Sequence, residues 1–342
     1  MKEQEHFIKN IEIKNFKCFE NFKAEGFGRV NLIGGKNNVG KTAFMEAVCT
    51  NIFTIDLKTF VHSLVYIEYT RNYLKFINTK LPVKEFLEKS NLFYTKSNKN
   101  NLNYKILEEN GIKEYFFKIN DNKIVVNVND YSFEISRNSK VKFISNYGYT
   151  NGQLKEVYES VQKKDKEEEL YKYLTEFDEY ILNFKIIGGD KPMFKVDISN
   201  QSPYSYLVEP YRDISEFGEG LRQYVSIICS LYACANSYLF IDEIDSGIHH
   251  SKLDKLWDII LTIAKEQNVQ VFATTHSKEC IKALVTANTK NVKTYQPKEY
   301  ILDSEEIKFI ELGRTDGKVD SIILNFDELK NEVEQNMEIR GW

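Results

Sequence analysis

Proline is scarce in this chain, five residues in 342, and tryptophan scarcer still at two. So few prolines exclude a long proline-rich linker. The five cysteines, Cys18, Cys49, Cys229, Cys234 and Cys280, include no CxxC pair. Scattered thiols of this kind are expected to be buried in a reducing cytosol. No apolar run reaches membrane-spanning length and no basic-then-apolar leader opens the sequence. The expected location is therefore the cytoplasm, with no membrane partner. Positive charge is not in excess either: Lys and Arg number 46 against 50 Asp and Glu, for a net charge of −4. Binding to DNA by counter-ion release needs clustered cations, so the overall balance carries no DNA signal, and only a local basic patch would supply one. What remains is 42% hydrophobic and 28% charged, ordinary for a globular protein and long enough for one large or two small domains.

The chain opens on alternation. Ile8, Ile11, Ile13, Phe16 and Phe19 are spaced as in a pair of strands. Val30 to Ile33 is a short apolar strand running into Gly34, and Phe44, Met45, Ala47 and Val48 fit the buried face of a helix. From about Thr50 to about Val208 the texture changes. Phe60 to Ser90 reads as helical, Asn91 to Asn103 as a surface loop, and Tyr104 to Ser145 as alternating strands, with KIVVNVNDYSFEIS as strand, turn, strand. Gln153 to Leu182 reads as a helix whose charged run KKDKEEEL, Lys163 to Leu170, is a solvated face. Regularity returns at Tyr211. The pattern predicts a helix over Gly220–Cys234, a buried strand at Tyr238–Ile241, an amphipathic helix over Leu253–Lys265 and a buried strand at Val269–Thr274. Two short strands near Tyr300 and Phe309 and a helix over Leu324–Met337 complete the expectation. The expected organisation is a discontinuous α/β core, residues 1–50 and 205–342, interrupted by an inserted α+β lobe at 51–204.

Four motifs carry chemistry. Gly35, Lys36, Asn37, Asn38, Val39, Gly40, Lys41 and Thr42, followed by Ala43, match G-x-x-x-x-G-K-[ST] between a strand and a helix. The glycines let backbone N–H groups turn toward phosphate oxygens, and the helix N-terminus adds a favourable field. Lys41 is placed to reach the terminal phosphates and the Thr42 hydroxyl to hold Mg²⁺. YLFIDE, Tyr238 to Glu243, is a buried strand with two carboxylates at its exit. Asp242 suits the Mg²⁺ shell and Glu243 the polarisation of an attacking water. VFATTHS, Val271 to Ser277, delivers His276 just past another buried strand, since parallel strands bring such ends to one edge of a sheet. In SEFGEGLRQ, Gly218, Glu219 and Gly220 open a helix and offer a second N-terminus suited to an anion, with no Lys-Ser/Thr pair behind it.

The order of these motifs resembles the ABC-type ATPase head of the RecF, SMC and OLD branch. It is most similar to the standalone bacterial AAA family ATPases of the AAA-15/AAA-21 type found in two-gene anti-phage systems. IEIKNFKCFENF resembles the opening strand pair, and IDEIDSGIHH the segment that places Asp245 in a D-loop. The resemblance covers residues 7–50 and 205–285. It implies a P-loop NTPase with a mixed sheet and N-terminal antiparallel strands, using ATP and Mg²⁺. It also implies a homodimer closed around ATP, compatible with a larger homo-oligomer, in which Gly218 to Gly220 of one copy cover the nucleotide of another. By the same resemblance the output is control of a separate effector, a Toprim or HNH nuclease or a toxin. The alternative is a RecF-like, DNA-binding repair ATPase.

Two departures accompany it. The signature lacks a serine in register, and no glutamine lies between Thr42 and Tyr149, so no Q-loop residue is assigned; Gln153 opens a charged helix. The lobe has too much strand for an SMC arm. The acids after His276, Asp303, Glu305, Glu306, Asp316 and Asp320, are scattered, so the chain is expected not to be a nuclease itself.

Overall fold

The structure is a computed structural model and describes residues 6–53, 63, 67, 101–108, 111–118, 140–197, 211–293 and 302–338. The chain forms two compact units. The first comprises Met1–Ser139, Phe272–His276 and Asp303–Trp342, and the second Lys140–Val271 and Ser277–Leu302.

In the first unit, β1 (Asn10–Phe16) and β2 (Phe19–Glu25) form the antiparallel pair expected from the alternation, with Ile13 opposite Phe22. β4 (Asn101–Glu108) and β5 (Gly111–Lys118) extend this sheet in the order β2-β1-β4-β5. A second sheet contains β3 (Val30–Gly35), in which every residue is buried. Burial on both faces explains why its sequence is nearly continuous in apolar residues. The exception, Asn31, is satisfied locally: it accepts from the Gly28 N–H and donates to the Gly28 carbonyl, each at 2.9 Å. β12 (Ile307–Thr315) lies parallel to β3, with Leu312 opposite Gly35, and β13 (Lys318–Asn325) is antiparallel to β12. The first unit's part of β11 (Gln270–Thr274), from Phe272 onward, flanks β3 on the other side. α1 (Lys41–Phe53) is fastened by an aromatic cluster in which Phe44 meets Phe22 at 5.6 Å and Phe27 at 6.0 Å between ring centroids.

In the second unit, β6 (Lys142–Ile144) and β10 (Tyr238–Ile241) are parallel neighbours, with Ile144 opposite Ile241. Around them lie α2 (Asn151–Gln162), α3 (Glu167–Phe177), α4 (Glu219–Ala233), α5 (Leu253–Glu266) and α6 (Lys278–Lys293). A small antiparallel sheet runs β7 (Ile181–Ile187), β8 (Lys191–Val196), β9 (Tyr211–Asp213). α4 is buried along most of its length, and α5 buries Leu256, Ile259, Ile260 and Ile263 as its period predicts.

Several local expectations are corrected. The helix expected from Gln153 to Leu182 is two helices, broken where Asp165 takes φ 53°, and Ile181 and Leu182 belong to β7. The charged run has no apolar period to mark where a helix must end. Gln153 serves as a helix cap: its side chain accepts from the Thr150 N–H at 3.1 Å and its own N–H donates to Thr150 Oγ1 at 3.3 Å. Asn101 to Asn103, expected in a loop, open β4. The last helix is shorter than expected, Phe326–Glu334, because Leu324 pairs with Phe309 in the sheet and Asn325 caps the helix. Four of the cysteines are buried and Cys18 is half-exposed. KIVVNVNDYSFEIS, the strand near Tyr300 and most of the helical stretch after Phe60 lie outside the described residues.

Candidate functional site

The first unit holds the phosphate loop. β3 ends at Gly35, α1 begins at Lys41, and between them the backbone takes the left-handed region at Gly35 (φ 146°), Asn38 (φ 62°) and Gly40 (φ 123°). Neither glycine tolerates a side chain. A Cβ on Gly35 would stand 2.6 Å from the Leu312 carbonyl oxygen, and one on Gly40 would stand 2.6 Å from Cys18 Sγ. Val39 is buried and pins the loop, while Lys36, Asn37 and Asn38 are exposed. Lys41 Nζ donates to the Gly35 and Lys36 carbonyls at 2.8 and 3.1 Å, so the ammonium lies folded over its own loop. Thr42 and Ala43 are half-exposed in the first turn of α1, which has no acidic residue. Nothing in that turn offsets the positive end of the helix, and the cradle fits an anion.

His276 belongs to the same unit. The Thr275 N–H donates to the Ile33 carbonyl at 3.0 Å, which ties the chain just past β11 to β3 two residues before Gly35. His276 follows directly and is exposed. The structure thus brings the phosphate loop and His276 to the same strand ends.

The remaining candidates lie in the second unit. Asp242 is buried at the exit of β10, where its N–H donates to the Ile144 carbonyl at 2.8 Å. Glu243 takes φ 51°, unusual for a residue with a side chain, and is half-exposed. Its carbonyl accepts from the Ser246 N–H at 2.8 Å and that of Asp245 from the Ile248 N–H at 3.1 Å, folding residues 243–248 into tight turns. Asp245 is half-exposed beside an open pocket lined also by His250, Leu253, Ser277 and Glu279.

Gly218 is the N-cap of α4 at φ 82°, with open space around it and no side-chain cap, while Glu219 begins the helix. Gly220 has a different reason to be glycine: a Cβ there would stand 1.9 Å from the Gly247 carbonyl oxygen. The segment before it, Ile214–Phe217, is capped by Asp213, whose carboxyl is held below its ordinary pKa by hydrogen bonds from Ser215.

Two residues escaped the sequence reading. Asn146, just past β6, donates from Nδ2 to Glu243 Oε2 at 3.2 Å. Asparagine stands here where a glutamine is the expected residue type, and the signal in the sequence is the apolar strand ending at Ile144. Arg314, near the end of β12, donates to the Asn38 carbonyl at 3.3 Å and to the Gly317 carbonyl at 3.2 Å, holding the tip of the phosphate loop. No local pattern marks it. Among the described residues no cluster of three or more His, Cys, Asp or Glu could hold a metal ion by itself, and no helix is long and apolar enough to cross a membrane.

Comparison with known proteins agrees with the loop. An "ATP/GTP phosphatase" of Helicobacter pylori is 25% identical over 355 residues, covering 87% of this chain and 93% of that protein. Among solved structures, the SMC head domain of Thermotoga maritima is 14% identical at a TM-score of 0.40, covering 92% of this chain and 98% of that one. An SMC head bound to the C-terminal winged-helix domain of ScpA is 11% identical at a TM-score of 0.44, covering 94% and 99%. Residues 30–281 match the family described as "AAA domain, putative AbiEii toxin, Type IV TA system". The stretch takes in the phosphate loop, β10 with Asp242 and Glu243 just past its end, and His276. The chain belongs to that family and is an AAA-type P-loop ATPase.

Proposed function

We propose that the protein is an ATP-driven switch: two copies close around ATP, open on hydrolysis, and in doing so control a separate effector. The observation that carries this is the phosphate cradle, in which Gly35 and Gly40 lack room for a side chain and Lys41 is the first residue of a helix without first-turn acids. Lys41 would bind the terminal phosphates alongside the metal ion. Thr42 and Asp242 would hold Mg²⁺, whose charge offsets that of the phosphate oxygens. Glu243 would take a proton from the attacking water and His276 would orient that water or the γ-phosphate. Gly218 to Gly220, with Asp245, would cover the nucleotide held by a second copy. The uncapped N-terminus of α4 supports this role, because its N–H groups have no side-chain acceptor at the N-cap.

The family's description names a toxin of a toxin–antitoxin system; the placing of the effector, a nuclease or toxin, in a separate chain and of the setting in anti-phage defence rests on the motif resemblance alone. The lobe at 51–204 would carry specificity for trigger or effector. The chain itself would not be a nuclease. The test is ATP turnover and mass by light scattering, with and without Mg-ATP, for wild type and Glu243→Gln. The expected result is turnover by wild type and a trapped ATP-bound dimer for Glu243→Gln. A variant that stays monomeric in saturating Mg-ATP overturns the switch. Turnover raised several-fold by DNA would favour the RecF-like alternative instead.

A further inference from the structure

The loop between β6 and α2 is fastened to α4 through one residue. Tyr149 is buried, its N–H donates to Ser226 Oγ at 3.1 Å, and its carbonyl accepts from Arg222 Nη1 at 3.0 Å. Its hydroxyl accepts from Ser230 Oγ at 3.1 Å, and Arg222 Nη1 also reaches Asn151 Oδ1 at 3.0 Å. Ser226 directs its own hydroxyl proton back to the Arg222 carbonyl at 2.7 Å, which leaves a lone pair for Tyr149. Three positions of α4, at 222, 226 and 230, therefore hold one tyrosine; they recur every four residues along one helix face. Three residues before Tyr149, Asn146 donates to the Glu243 carboxylate.

α4 reaches the other partner of that bond as well. Its Gly220 lies so close to Gly247 that a Cβ would stand 1.9 Å from the Gly247 carbonyl oxygen, and Gly247 sits in the turns that begin at Glu243. One helix thus supports both the donor and the acceptor. The seat is also imperfect. Gln223 is 1% exposed, its amide nitrogen and oxygen have no hydrogen-bond partner, and its oxygen lies under Gly148, 3.2 Å from where a Cβ would be. A buried amide left unpaired raises the energy of this arrangement relative to any in which it is paired.

We infer that Asn146 is the positioning residue for the Glu243 carboxylate and that α4, through Tyr149, sets where Asn146 stands. This rests on the ATPase reading above. Asn146 would act through Glu243, fixing one of its carboxylate oxygens.

The test is steady-state ATPase kinetics on the full chain. Asn146→Ala should lower kcat about tenfold while KM stays within about twofold, since nucleotide binding is untouched. Asn146→Gln, which keeps the amide on a longer stem, should recover part of the loss. Arg222→Met should lower kcat in the wild-type background and add nothing in the Asn146→Ala background, a non-additivity expected of residues acting in series. Ser230→Ala, which removes only the hydroxyl on Tyr149, repeats the cycle with a milder change should Arg222→Met fold poorly. Unchanged kcat in Asn146→Ala, a loss confined to KM, or fully additive double variants would each overturn the inference. Failure of the underlying reading looks different: wild type would then turn over ATP no faster than Glu243→Gln.

Discussion

Replacing Gly220 with alanine tests whether the two glycines that open α4 serve different ends. The added Cβ would meet the Gly247 carbonyl oxygen at 1.9 Å and its carbon at 2.6 Å, both backbone atoms that no rotamer change can move. Ordinary contact needs about 3.4 Å or more, so α4 and the turn at Gly247 must separate by about 1.5 Å. Overpacking of this kind costs about 1–3 kcal/mol. Alanine returns part of it, up to about 1 kcal/mol, by its better helix propensity. The net expectation is a loss of about 1–2 kcal/mol, or a fall in melting temperature of about 2–8 °C for a unit of this size. Gly152→Ala is the control. Gly152 lies in the first turn of α2 with no atom within 4 Å and an unstrained φ, so alanine there should leave the melting temperature equal or slightly higher. Differential scanning fluorimetry of the three proteins, with circular dichroism to verify folding, makes the comparison. A Gly220→Ala protein melting at or above wild type would refute the close-approach argument and return Gly220 to a purely ligand-binding role.

Cys18 is the one half-exposed thiol among five, and its sulfur packs at the site a Gly40 Cβ would need. Maleimide should therefore label Cys18 first under native conditions, and mass spectrometry should show Mg-ATP slowing that labelling several-fold. The other thiols should stay inert, since burial pushes Cys234, for instance, up to about 12. Arg314→Ala frees the Asn38 carbonyl and should raise KM for ATP about threefold or more with little change in kcat, read by the same kinetic assay. Asp213 has a carboxyl held below its ordinary value by Ser215, so its contribution is present above about pH 4, the unfolded value, and is lost as pH falls through the folded one. The melting-temperature difference between wild type and Asp213→Asn, which retains a capping oxygen, should accordingly shrink below about pH 4.

What could be read from sequence divides along a physical line. α5 was expected over Leu253–Lys265 and runs Leu253–Glu266, and β10 falls on Tyr238–Ile241 as expected, because burial imprints a period on the residues of a single element. The phosphate loop was legible for the same reason: its strand, its glycines and its helix are contiguous. The break at Asp165 was not, since a run of solvated charges carries no period and a positive φ at a non-glycine residue carries no signature. Asn146 and Arg314 failed for a further reason. Their partners lie 97 and 276 residues away, and nothing local in either segment says which loop the fold will set beside it. Spacing within an element reports burial, while a hydrogen bond between loops depends on how elements stack, which single-element patterns do not encode. Roles that depend on such pairings, Asn146 on Glu243 and Arg314 on Asn38, are therefore the ones that only coordinates could expose. They are also the ones for which mutational coupling is the decisive measurement, because neither residue is predicted to touch the water that Glu243 would activate.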